Sequence, residues 1–111
     1  QVLLKQKNYA AAAKMTCDIV DKIAPEDARR VATEVEQAGS DVAAAQLHLA
    51  VAKAERSFRD ACAAVFAFAR AGSKEGVLTA YKVAKSFDGE GSRKLLSDER
   101  LGDVRSMLES T

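Results

Sequence analysis

Proline occurs once in the 111 residues, at Pro25, and tryptophan is absent. Glycine numbers 6, cysteine 2 and histidine 1. Each scarcity excludes something. With so few breakers there are few places where a helix must stop, which favours few, long helices. Two cysteines build no disulfide framework, and with a single histidine they make no zinc pattern. An excess of one charge is also missing. Lys and Arg total 17 against 16 Asp and Glu, a net charge of +1, so no general attraction to nucleic acid is expected. The longest apolar run, Ala61 to Ala69, lies between Asp60 and Arg70 and falls short of the ~20 residues that span a bilayer. No signal peptide is visible. A start at Gln1 rather than methionine is expected of a trimmed or mature product, which leaves the compartment open.

Alanine is what the chain has in abundance. It is the best helix former and allows helices to approach closely. Apolar residues make up 48% and charged residues 30%, which suits a folded domain rather than a disordered chain. Between Glu26 and Ala71 the apolar positions recur at alternating three- and four-residue steps. One register reads Val31, Val35, Ala38, Val42, Ala45, Leu49, Ala52, and a second reads Leu47, Val51, Ala54, Phe58, Ala61, Val65, Phe68. That period belongs to helices packed along their length.

The first helix is expected from about Val2 to Ile23, with Leu3, Ala10, Ala13, Cys17 and Val20 on one face and Tyr9, Ala12, Ile19 and Ile23 beside it. Ala24-Pro25-Glu26-Asp27 reads as a corner that opens the next helix, with proline in the first turn and acids at the positive end of the dipole. Gly39-Ser40-Asp41 is the ambiguous point of the middle segment. A glycine costs about 1 kcal/mol inside a helix, and Ser40 or Asp41 can cap a new one. The Val35-Ala38-Val42-Ala45 register continues through it, which favours one long helix of ~65 Å at about 1.5 Å per residue. Ser73 is expected to cap a further helix running to about Phe87, with Val77, Leu78, Tyr81, Ala84 and Phe87 as its stripe. Asp88 to Ser92 is the strongest loop signal. A short last helix carries Leu95, Leu96, Leu101, Val104, Met107 and Leu108, with Ser97 or Asp98 as an internal cap. The expected fold is all-α: one domain over residues 1–111, an antiparallel bundle of four helices, or five if Gly39 is a true break.

No catalytic constellation emerges. His48, within Gln46-Leu47-His48-Leu49, is the only candidate ligand for a metal or for the magnesium of a chlorin, but it lacks companions at helical spacing. A structural histidine is the competing reading. Glu34 and Glu36 point apart on a helix, and Glu99 and Asp103, beside Asp98, are interleaved with Arg100 and Arg105, the pattern of a solvated surface. Phosphate loops, nucleophile elbows and zincin motifs are missing. No metal, cofactor or enzyme activity is expected. Cys17 and Cys62 both fall on apolar faces: either they meet in one disulfide between the first and middle helices, or they remain buried thiols. Residues 53 to 94 hold nine Lys and Arg against five acids. Arg56, Arg59, Arg70, Lys74, Lys82 and Lys85 form a candidate basic docking face there, set against a solvated mixed surface interrupted by Glu55, Asp60 and Glu75.

Two family resemblances follow from particular residues. Ala13, Cys17, Val20 and Pro25 fall at the spacing of the second helix of a tetratricopeptide repeat, which that helix resembles. Phe66-Ala67-Phe68-Ala69-Arg70, a short Ala-Gly-Ser-Lys turn, and Leu78-Thr79-Ala80-Tyr81-Lys82-Val83-Ala84-Lys85 leading to Phe87 are similar to the PsbQ-like extrinsic subunits of photosystems. The second resemblance implies a non-catalytic accessory subunit at the thylakoid membrane of the chloroplast, peripheral to the bilayer, docked on protein subunits of a photosystem or its antenna. It leaves room for a chlorophyll contact that no residue of the sequence supports, and implies an oxidising lumen that would favour the Cys17–Cys62 bridge. The first implies a helical adaptor for a protein or peptide partner.

Overall fold

The computed structural model describes residues 9–110. Among them are seven α-helices and one 3₁₀ segment, with no strand. They are α1 (Tyr9–Asp18), α2 (Pro25–Gln37), α3 (Asp41–Glu55), α4 (Phe58–Arg70), α5 (Lys74–Phe87), α6 (Gly89–Leu95), the 3₁₀ segment Glu99–Val104, and α7 (Arg105–Glu109). The expectations for Leu3 and for the side chains of Tyr9, Ala10 and Ala12 lie outside the described residues.

The single long middle helix is not formed. Three helices stand in its place, and each stop has a visible cause. Gly39 takes φ +91°, while its N–H bonds to the Glu36 carbonyl at 3.0 Å and Ser40 N–H to the Val35 carbonyl at 3.2 Å. That paired closure needs a left-handed residue after the last helical one, and glycine supplies it without a side-chain clash. The register continuing through Gly39 is a coincidence of spacing, since Ala38 and Val42 are both exposed. The second stop, at Arg56, carries no glycine or proline. Arg56 is left-handed at φ 51°, Ser57 N–H bonds to the Ala52 carbonyl at 3.0 Å, and the guanidinium lies 5.5 Å from the Phe87 ring centroid. Ser57 then caps α4, its Oγ accepting from Asp60 N–H at 3.3 Å. Gly72, at φ +75°, repeats the first closure before α5.

Other boundaries also shift. The first helix ends at Asp18 rather than Ile23, and only turns follow. Its last turn has no basic residue, and Asp18 and Asp21 sit at the negative end of its dipole. The expected loop over Asp88–Ser92 is the start of α6, because Asp88 Oδ1 accepts from Gly91 N–H at 2.8 Å and so nucleates a turn. The last expected helix is divided into the end of α6, the 3₁₀ segment and α7. Asp98 caps the 3₁₀ segment through Arg100 N–H at 2.9 Å.

Helices α2 to α5 each pack on the next, and α1 covers α2 and α3. The centre of the arrangement is α3, which is apolar nearly all round and divides the interior in two. Its Ala43, Ala44, Leu47 and Val51 pack with Ala13 of α1 and Ala28, Ala32 and Val35 of α2. Its Ala45 and Leu49 pack with Val65 and Phe68 of α4, Val77 and Tyr81 of α5, and Leu101, Val104 and Leu108. This explains the overlapping registers around Leu47–Ala52: they mark two buried faces of one helix. Alanine carries the close contacts, with Ala28, Ala32, Ala44, Ala45, Ala52, Ala61, Ala64, Ala67, Ala80 and Ala84 fully buried. Gly76 extends the same device to α5, where a Cβ would overlap the Phe68 ring.

Candidate functional site

Helices α2 and α4 flank α3, each packed on one of its two buried faces, and are linked across it by side chains rather than by apolar packing. Arg29, near the start of α2, reaches Asp60, near the start of α4. Glu36, near the end of α2, reaches Arg70, at the end of α4. These two crossings require α2 and α4 to run parallel, with α3 antiparallel beneath them. On α2 the residues concerned, Arg29, Thr33 and Glu36, recur at helical spacing and share one face.

The Arg29–Asp60 crossing is two-pronged. Arg29 Nε donates to Asp60 Oδ1 and Oδ2 at 3.1 and 3.2 Å, and Nη2 donates to Oδ2 at 2.7 Å. The carboxylate is 9% exposed and the guanidinium 42%, so the acid depends on this partner far more than the base does. Burial pushes the Asp60 carboxyl up, but the hydrogen bonds from Arg29 and Ser57 outweigh it and hold the group below its usual 3.8. At the other crossing Arg70 Nη2 donates to Glu36, and Nε donates to Asp41 Oδ1 at 3.4 Å.

His48 of α3 sits between the two crossings and is 8% exposed. Its Nε2 is 4.0 Å from Glu36 Oε1, too far for a hydrogen bond, and its Nδ1 has no hydrogen-bond partner. Burial lowers its pKa from 6.5 against the pull of Glu36 and Asp60, with Arg70 adding to the lowering, so the imidazole is neutral at physiological pH. Arg29, Thr33, His48, Arg59, Asp60 and Ala63 line an open cleft of ≈ 400 Å³. Thr33 Oγ1 donates back to the Arg29 carbonyl at 3.0 Å. Arg59 makes no ion pair or hydrogen bond among the described residues.

The basic face expected from sequence is dispersed. Arg59 lines the cleft and Arg70 is neutralised by Glu36 and Asp41. Arg56 lies over Phe87. Lys74 borders a small recess with Arg100 and Asp103, while Lys85 borders another with Tyr81, Arg93 and Glu109. Lys82 is exposed on α5. Both cysteines are free and half-buried in different surroundings: Cys17 packs into the α1–α2–α3 interior, while Cys62 lies on α4 within the field of Asp88. Burial, reinforced by Asp88, raises the Cys62 thiol to about 11, so it stays protonated and is a poor nucleophile. Among the described residues no group of three His, Cys, Asp or Glu side chains could hold a metal ion.

The residues that build the cleft were not singled out by sequence reasoning, His48 and Arg59 excepted. A faint signal was present for Asp60, an acid bordering the most apolar run of the chain. Compared with family models, with curated proteins and with solved structures, the chain matches none.

Proposed function

We propose that this protein is a non-catalytic helical docking module, an accessory subunit or adaptor whose α2–α4 cleft receives part of a partner. One observation carries the reading: two helices that flank a shared third are tied across it by ion pairs at both ends, leaving a polar cleft between them. A helix pair closed for stability alone would meet through apolar side chains, as α4 and α5 do at Phe68 and Val77. The cleft's chemistry favours binding over turnover. His48 is buried and neutral, and Asp60 is bound on both oxygens.

The setting we propose for the partner is the membrane-associated complex implied by the PsbQ-like resemblance, a photosystem or its antenna in the thylakoid. In support, the segments that carry the resemblance form the α4–α5 hairpin joined at Gly72. No described helix is long and apolar enough to cross a membrane. The adaptor reading is favoured by the cleft itself, an open groove between two helices that flank α3. The test is hydrogen exchange on the protein alone and within the complex recovered from its native membranes. Protection of α2 and α4 on the cleft side is expected in the complex. Unchanged exchange there, or recovery only as a free monomer, overturns the docking reading.

A further inference from the structure

The lining of the cleft holds two guanidiniums, Arg29 and Arg59, against one carboxylate, Asp60, a surplus of one positive charge, with Glu26 and Glu55 outside the lining but within the field of Arg29. Asp60 has both oxygens engaged by Arg29, and as a carboxylate it adds no donor to the cleft. Arg29 spends Nε and Nη2 on that pair and keeps Nη1, while Arg59 keeps its whole donor fork. On the floor lies His48, nine-tenths buried with an unpartnered Nδ1, a polar group in a setting where buried polar atoms are normally satisfied. The unused N–H donors of the cleft therefore lie on Arg29 and Arg59, groups that seek an acceptor oxygen. Farther along the groove, Glu36 and Asp41 outnumber Arg70 by one negative charge. That end repels a second anionic group. A phosphate dianion overfills the cleft's single surplus charge and meets this repulsion, whereas one carboxylate matches the surplus.

We infer that the cleft between α2 and α4 is a binding site for one singly charged carboxylate, held by the unpaired fork of Arg59 and the remaining N–H groups of Arg29 above His48. The carboxylate comes from an acidic side chain of a protein partner or from a small free organic acid. The inference rests on the reading of this cleft as a docking site and names the chemistry docked there. Arginine forks favour planar two-oxygen acceptors, which is why a carboxylate fits better than a point-like halide.

The test is a nuclear magnetic resonance titration of the folded protein, following the ring of its single histidine and the arginine Nε–Hε signals. The probes are propionate, an acetylated and amidated Gly-Glu-Gly peptide with its Gly-Gln-Gly counterpart, propionamide, and inorganic phosphate. Propionate is expected to shift His48 and Arg59 saturably, with affinity on the order of millimolar and salt-sensitive. Arg59→Gln, an exposed substitution that leaves the core untouched, is expected to weaken binding about tenfold, while Arg93→Gln has no effect. Binding of the Glu peptide but not the Gln peptide assigns the carboxylate to a protein side chain. Propionate binding without peptide binding assigns it to a free acid, and leaves the site standing while the docking reading falls. The inference is overturned by absence of saturation, by equal binding of propionamide or phosphate, or by indifference to Arg59→Gln. If those results accompany cleft protection in the native complex, docking stands and only the carboxylate assignment fails.

Discussion

Arg29 and Asp60 stand 31 positions apart in the chain and meet through three hydrogen bonds, the shortest 2.7 Å. The pair is lopsided in burial, and that sets what its loss does. Arg29→Ala leaves a buried carboxylate without a counter-charge and is expected to cost about 2–3 kcal/mol, whereas Asp60→Ala frees a guanidinium that already reaches water and costs less. Urea unfolding of both single variants and of the double variant measures this. The double variant is expected to fall short of the sum of the two, because each single change removes the same contact.

The depressed values of His48 and Asp60 set a direction with pH. The unfolded chain binds a proton at His48 near pH 6.5, while the folded chain resists it to a lower value. Below 6.5 the unfolded state therefore holds more protons, and stability falls as pH falls through that window. The Asp60 contribution is complete above its unfolded value of 3.8 and is lost only as pH drops further. A lower urea midpoint is expected at about pH 5.5 than at about pH 7.5, with the difference reduced in His48→Gln.

Helix stops make a paired test. Gly39→Ala places a Cβ on a left-handed residue and is expected to lower stability by about 1–2 kcal/mol. Arg56→Gly relieves the same strain in a residue that already tolerates it, at the loss of a contact with Phe87 that is worth about 0.5–1 kcal/mol. It is expected to leave stability unchanged or slightly raised. Thermal melts of both variants decide.

Thiol chemistry separates the two readings of the cysteines. Cys17 and Cys62 are free, and both thiols are raised in pKa. Titration under denaturing, non-reducing conditions is expected to find both thiols, and alkylation of the folded protein at neutral pH is expected to be slow. A mass deficit of two hydrogen atoms would instead establish the Cys17–Cys62 bridge.

Much of the helical pattern was legible because its signals are local. Pro25 opening α2, Ser73 capping α5 and the apolar stripe of α5 are read from neighbours a few residues apart. Arg56 was illegible because an arginine rarely takes a left-handed conformation, and this one is held by a ring in another helix. The glycines of α6 read as a loop because capping by Asp88 depends on a side-chain orientation that composition does not carry. The cleft was hidden for a different reason. Arg29, Glu36, Asp60 and Arg70 each look like solvated surface charges on their own helices. Only the parallel placement of α2 and α4 makes them partners.

Because α3 serves both interiors, the two halves of the molecule are unequal in how they open. The α1–α2 side closes on small residues, Ala13, Ala28, Ala32, Ala43 and Ala44, with Val35, Leu47 and Val51 as its larger members. The other side has Phe68, Tyr81, Leu49, Leu101 and Leu108. Lifting α1 and α2 exposes less apolar area than separating α4 from α5, so amide exchange should reach α2 first while α3 to α5 remain protected. A ligand bridging α2 and α4 would then act as a latch on the weaker half. Occupancy of the cleft would set the lifetime of the closed state.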